Sequence, residues 1–213
     1  LFPFGGTEYP VSTGKAVCTA TGGQRRPAVL ADGQHGAFVA WTDQRAVRQI
    51  YLQYIRPGGS LLAVDGMPAI TNWIDGGQDY ASLVSAGSGK AIVLDWHWGG
   101  CCGGLCEYHH RSGGQKMTAA GSRLWGDTGA LFAGSGCPVS EFVLEMVPAG
   151  VANGTDGALA VWERYLGGDP STVTASRSCP RSERHRSSGS ASASARGQPP
   201  SRALVASWTI VPA

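Results

Sequence analysis

Between Trp96 and His110 the chain carries its densest set of metal-capable side chains: His97, Cys101, Cys102, Cys106, His109 and His110. Thiolates and imidazoles suit zinc or copper, and Cys102-x3-Cys106-x2-His109 supplies three corners of a tetrahedral site. The spacing is not that of a zinc finger or ribbon, and a fourth ligand has to come from His97 or Cys137. Disulfide bonding competes for the same thiols, because six cysteines, at 18, 101, 102, 106, 137 and 179, allow up to three bridges. No phosphate-binding loop or dinucleotide fingerprint follows a strand pattern, so no cofactor other than such a metal is implied.

A second chemistry would use carboxylates. Glycoside hydrolysis needs two of them roughly 5 to 9 Å apart, and the candidates are Asp43, Asp95, Glu107 and Glu163. Asp43 and Glu163 each come just after a strand tryptophan, Trp41 and Trp162, and are the pair to consider as catalytic. The competing reading of Asp43 is a cap on its own Thr42-Asp43-Gln44-Arg45 turn. Arg45 and Arg164 follow the two carboxylates and are candidate ligand contacts, together with Asp32 and Trp41. Tryptophans 41, 96, 162 and 208 recur in a similar setting. Such rings either stack on sugars or pack between sheets, each burying about 150–250 Å², and packing is the stronger expectation. Ser12-Thr13-Gly14-Lys15 fits a Ser-x-x-Lys nucleophile motif, but in an extended context and not on a helical turn.

These residues are positioned by repeated units. Asp32-Gly33-Gln34-His35-Gly36 opens the apolar run Ala37 to Trp41, a polar turn follows, and Ile50-Tyr51-Leu52-Gln53-Tyr54-Ile55 reads as a second strand. Val29 to Val39 is echoed 54 positions on, from Leu83 to Val93. Gly33 to Trp41 is echoed 121 positions on, from Gly154 to Trp162. The turn Gly59-Ser60-Leu61-Leu62 returns as Gly121-Ser122-Arg123-Leu124. After Trp96 the second copy departs from the pattern until Gly121, and after Asp169 the third lacks its Ile-Tyr-x-Gln strand. A period near 50 residues made of short strands belongs to propellers and related arrays, whose units bury their apolar faces on one another.

With blades of the form Asp-Gly-x-x-Gly, apolar strand, Trp-x-Asp-x-Arg, Ile-Tyr-x-Gln, the chain resembles bacterial secreted repeat proteins of β-propeller type. More distantly it resembles sialidase-type propellers, though Arg56-Pro57-Gly58-Gly59-Ser60-Leu61-Leu62 lacks the Asp and Trp of their Asp-box. The resemblance implies a secreted or cell-envelope location, where disulfides persist. It also implies a binding or scaffold module for a glycan or other cell-surface ligand, with a sialidase-like glycoside hydrolase as an alternative, while the cluster from Cys101 to His110 offers a metalloprotein as a third reading.

The 213 residues suffice for one sizeable core, and 32 glycines with 12 prolines favour tight turns over long helices. A net charge of +2 gives no argument for nucleic acid, and no apolar run is long enough to span a membrane. The first residues, Leu1 to Gly6, fit a processed or excised chain. The expected fold is all-β, about three degenerate propeller-like repeats forming a partial propeller or open β array. Residues 1–170 make the repeat domain, with a clean copy at 27–75 and degenerate copies at 76–128 and 142–170. The Arg/Ser-rich stretch 171–202 buries too little to order itself, and 203–213 reads as a terminal strand. An incomplete array exposes strand edges, so self-association through them is expected.

Overall fold

The computed structural model describes residues 14–71, 76–98, 110–131, 143–154, 156–166 and 169–174, and every regular element in them is a β-strand. Strands β1 (Gln24–Ala31), β2 (Ala37–Asp43), β3 (Gln49–Ile55) and β4 (Met67–Pro68) form a first antiparallel sheet in chain order. Strands β5 (Gly77–Ser85), β6 (Lys90–Trp98), β7 (His110–Thr118) and β8 (Ala130–Leu131) form a second in the same way. Strands β9 (Val143–Ala152), β10 (Ala158–Leu166) and β11 (Asp169–Thr174) form a third, with β10 in the middle. The described part of the protein is thus all-β, with several antiparallel sheets of which none is closed. Among the described residues no helix is long and apolar enough to cross a membrane.

Local chemistry explains why each sheet starts with a hairpin. Gly33, Gly87 and Gly154 take φ of 77°, 85° and 82°, the left-handed region that costs glycine nothing. The Asp32 carboxylate accepts from the N–H groups of Gln34 and Gly36 at 2.6 and 2.9 Å, and the Asn153 side chain accepts from Gly157 N–H at 3.1 Å. Each loop is closed by the same backbone bond, Asp32 to Gly36, Ala86 to Lys90 and Asn153 to Gly157. The Tyr54 hydroxyl donates to Asp32, and burial together with that bond pushes the phenol up to about 12.

Alternation along the strands builds two cores. Phe38, Ala40, Ile50, Leu52 and Tyr54 of the first sheet pack on Ala91, Val93 and Met117 of the second. The intervening residues of the second sheet, Val84, Ile92 and Leu94, pack on Ala158, Ala160 and Trp162 of the third. The middle sheet is therefore buried on both faces, which is why β6 reads as an unbroken apolar run from Ala91 to Leu94. Lys116 Nζ, nearly buried, ties the second sheet to the third by donating to the Asp156 carbonyl and carboxylate, each at 2.7 Å.

Two expectations about where the repeat fails are corrected. The second copy resumes at His110, not at Gly121: β7 pairs along β6 from Trp98↔His110 to Lys90↔Thr118. Ser112-Gly113-Gly114-Gln115 stands where the first sheet has Ile50-Tyr51-Leu52-Gln53, and the turns after them share their bonds, Arg56 N–H to Ser60 and Thr118 N–H to Ser122. The third copy has its following strand, because β11 pairs with β10 and carries the sheet through Ser171–Thr174, beyond the boundary drawn at 170. The remaining residues of the Arg/Ser-rich stretch, and 203–213, lie outside those described.

The buried glutamines mark the equivalence most sharply. Gln53 Oε1 accepts from the N–H groups of Tyr54 and Ala63 at 3.2 and 3.1 Å, and its Nε2 donates to the Ala63 carbonyl at 2.6 Å. Gln115 Oε1 accepts from Lys116 and Trp125 N–H at 3.1 and 3.0 Å, and its Nε2 donates to the Gly126 carbonyl at 2.5 Å. Replacing Gln115 with leucine strands the backbone groups of Trp125 and Gly126, so a loss of about 1–3 kcal/mol is expected. The urea midpoint measures it, and an unchanged midpoint would refute the clamp.

Candidate functional site

A β-bulge at one end of each sheet sets up the site. Register slips between Arg25 and Ala28 in β1, between Asp79 and Ser82 in β5, and between Val161 and Glu163 where β10 meets β9. An extra residue at such a point turns the strand and re-aims its side chains. Arg26 and Tyr80 hold the matching bulge positions with φ of 53° and 57°, uncommon for residues with a Cβ. They meet between the sheets, the Arg26 guanidinium lying 4.0 Å above the Tyr80 ring.

This meeting forms the wall of a cleft of about 210 Å³ lined by Arg25, Arg26, Thr42, Gln44, Arg48, Asp79, Tyr80 and Trp96. Asp79, 2% exposed, is its anchor. It accepts from Arg26 Nη1 at 2.6 and 2.7 Å, from Thr42 Oγ1 at 2.6 Å, from the Tyr80 N–H at 2.9 Å and from Arg48 Nη1 at 3.3 Å. Burial alone would raise its pKa, but the hydrogen bonds from Thr42 and Arg26 outweigh it and hold the carboxyl below the ordinary range. With its amide oxygen turned toward Arg48, Gln44 accepts from Arg48 Nη2 and Nε at 3.0 and 2.9 Å, and the Arg48 guanidinium sits 5.0 Å from the Trp98 ring. Tyr80, Trp96 and Trp98 form a chain of rings with centroids 5.8 and 5.3 Å apart.

Arg25 is exposed and has no ion pair among the described residues. Three guanidiniums therefore face one carboxylate, and the cleft is cationic. It can accept an anionic or hydroxyl-rich group through the guanidinium donors while a ring face or edge of Trp96 covers an apolar surface. Below the cleft, Gln78 Oε1 accepts from the Ile50 N–H at 3.1 Å and its Nε2 donates to Asp95 at 2.6 Å, while Asp95 lies 3.0 Å from His97 Nε2. That buried chain braces the second sheet against the first.

The sequence candidates fall elsewhere. Asp43 is fully buried and accepts from Trp41 Nε1, the Arg45 N–H and Arg45 Nε at 2.9 Å each, and from Arg45 Nη2 at 2.8 Å. It caps its own turn. Arg45 also donates to the Asp65 carbonyl at 2.8 Å and lies 4.0 Å over Tyr51. Trp41 is 3% exposed, against Gly66 and Tyr51, and is committed to packing. Asp32 closes its hairpin.

Register also separates residues that looked equivalent. Glu163, opposite Met146, holds the place of Thr42, opposite Arg25, and Arg164 holds that of Asp43. Trp96, opposite Asp79, likewise holds the place of Thr42, one residue away from the Trp41 and Trp162 position. His97 lies in β6 beside Asp95, and Lys15 donates to the Gly59 carbonyl at 2.8 Å. Cys102, Cys106 and His109 lie outside the described residues, and within them Cys18 is a free thiol receiving Arg45 Nη2 at 3.3 Å.

Asp79, Arg26 and Arg48 had no signal in the sequence, since the carboxylate and its partners are 53 and 31 residues apart. Comparison with family models, with curated proteins and with solved structures returned no match.

Proposed function

We propose that the chain is an extracellular β-repeat binding or scaffold module, its sheets being propeller-like blades. Its ligand is a glycan, bound in the cleft between the first two sheets. The observation that carries this reading is the cleft itself, where unconsumed cationic donors of Arg25 and the half-exposed Trp96 ring face the same space. Its volume is below the roughly 300–1,000 Å³ of pockets for drug-sized ligands, which suits a single sugar ring or chain end. The hydrolase alternative draws no support from the cleft carboxylate. Held ionised by its hydrogen bonds, Asp79 is a poor proton donor, and Asp43 is enclosed by its own turn.

Calorimetric titration of a panel of neutral and acidic oligosaccharides tests the reading. A glycan ligand is expected, with Trp96→Ala and Arg25→Ala each weakening it about tenfold, at unchanged thermal midpoints for the exposed Arg25. Binding that ignores both substitutions, or no binding to any glycan, rules the cleft out as the site.

A further inference from the structure

The three sheets stack in one direction. The middle sheet presents one face to the first sheet and the other to the third, and the corresponding faces of all three sheets are built from the same register positions. On the leading face the first hairpin contributes Val29, Ala37 and Val39 in the first sheet, Leu83, Ala91 and Val93 in the second, and Gly150, Ala158 and Ala160 in the third. On the trailing face it contributes Leu30, Phe38 and Ala40, then Val84, Ile92 and Leu94, then Val151, Leu159 and Val161.

Burial follows this order at every internal junction. The leading-face residues Ala91, Val93, Ala158 and Ala160 are at most 1% exposed, as are the trailing-face residues Phe38, Ala40, Ile92 and Leu94. At the two outer faces the same positions are open. Val29 is 73% exposed on the leading face of the first sheet, with Ala37, Val39 and Ile55 half-buried beside it. Val151 is 61% exposed on the trailing face of the third sheet, with Leu159 and Val161 half-buried. Where Gly150 occupies the position of Val29, a Cβ would already touch Leu94 and Val84, so a leading face meets its partner closely.

We propose that these two faces bind each other between copies of this chain, the trailing face of one third sheet docking on the leading face of the next first sheet. The small-residue face and the large-residue face already fit twice within one chain, first sheet on second and second on third. Such a head-to-tail contact is heterologous, so it closes into a ring or extends as a filament according to the rotation between copies. The contact runs through apolar faces rather than through unpaired strand edges, and it is independent of the cleft.

The test is sedimentation velocity on the full chain over a concentration series, with Val29→Asp and Val151→Asp. Both side chains are exposed, so the substitutions leave each chain folded, which circular dichroism checks. The wild-type chain is expected to assemble. Each variant alone is expected to be monomeric, with association weakened at least tenfold. An equimolar mixture is expected to give a dimer and nothing larger, because one intact face of each kind remains. A wild-type monomer at all concentrations overturns the proposal, and with a lower melting temperature for Val29→Asp it assigns the face to the chain's own residues. Loss of assembly in Val29→Asp but not Val151→Asp also overturns it, in favour of a symmetric contact between leading faces.

Discussion

Replacing Asp43 with alanine is expected to destabilise the protein by about 3 kcal/mol, near the lower end of what breaking a buried ion pair costs. The carboxylate has no exposed surface and accepts four hydrogen bonds, three of them from Arg45 and one from the Trp41 indole. The Arg45 side chain keeps 23% of its surface and a second acceptor at the Asp65 carbonyl, so its charge is partly rescued, which sets the lower value. For a chain of this length the loss corresponds to about 6–12 °C in melting temperature. A variant that melts with the wild type while losing an activity would reverse the assignment and make Asp43 a catalytic group.

The acid limb of stability checks the same carboxylate. Burial alone would raise the Asp43 pKa, but the Arg45 and Trp41 hydrogen bonds lower it below the ordinary 3.8, and Asp79 is lowered likewise by Thr42 and Arg26. A folded pKa below the unfolded one means that the native state binds fewer protons. The resulting stabilisation is complete above about pH 5 and is lost as pH falls through 3.8 toward the folded values. Unfolding free energy measured from pH 6 to pH 2 should fall less steeply in Asp43→Ala than in the wild type. Equal slopes would mean that Asp43 is not held ionised by folding.

Gly114→Val is expected to be at least as damaging, costing about 3 kcal/mol or preventing folding. A Cβ at Gly114 meets the Val93 carbonyl oxygen directly and lies 3.2 Å from its carbon and 3.3 Å from the Leu94 Cα. Backbone cannot give way there, because Gly114 is paired with Leu94 on one side and Ala130 on the other. Gly126→Ala is the control: its Cβ meets nothing, and only its φ of 71° opposes the change, at about 1–2 kcal/mol. Were Ser112 to Gln115 a loop, valine would be silent, or stabilising through its β propensity. Equal melting temperatures for Gly114→Val and the wild type would remove β7 from the second sheet.

That strand shows where sequence reading stops. Ile50-Tyr51-Leu52-Gln53 announces itself by β-branched and aromatic residues, whereas Ser112-Gly113-Gly114-Gln115 carries the two residue types that weaken strands. It is a strand because it pairs along β6 from His110 to Thr118, and it carries glycines because the Val93 carbonyl and the His97 ring occupy the space that side chains at 114 and 113 would need. Trp96 and Glu163 misled in a similar way. Their neighbours suggested the place of Trp41 or Asp43, but strand faces alternate, and the paired register puts both at the place of Thr42.

By itself the sequence indicated the β character, the glycine loops at Gly33, Gly87 and Gly154 and the spacing of their copies, and it offered a capping role for Asp43 beside a catalytic one. Each of these depends on residues within a few positions of one another, where turn geometry and alternation act directly on the local chain. Tertiary structure alone decided the cleft and the open faces. Arg26 reaches Asp79 across 53 residues only because two bulges abut, and Val29 differs from its counterpart Leu83 only in whether a sheet lies against it. Contacts of that kind depend on how separate sheets stack, and no pattern within one strand encodes them.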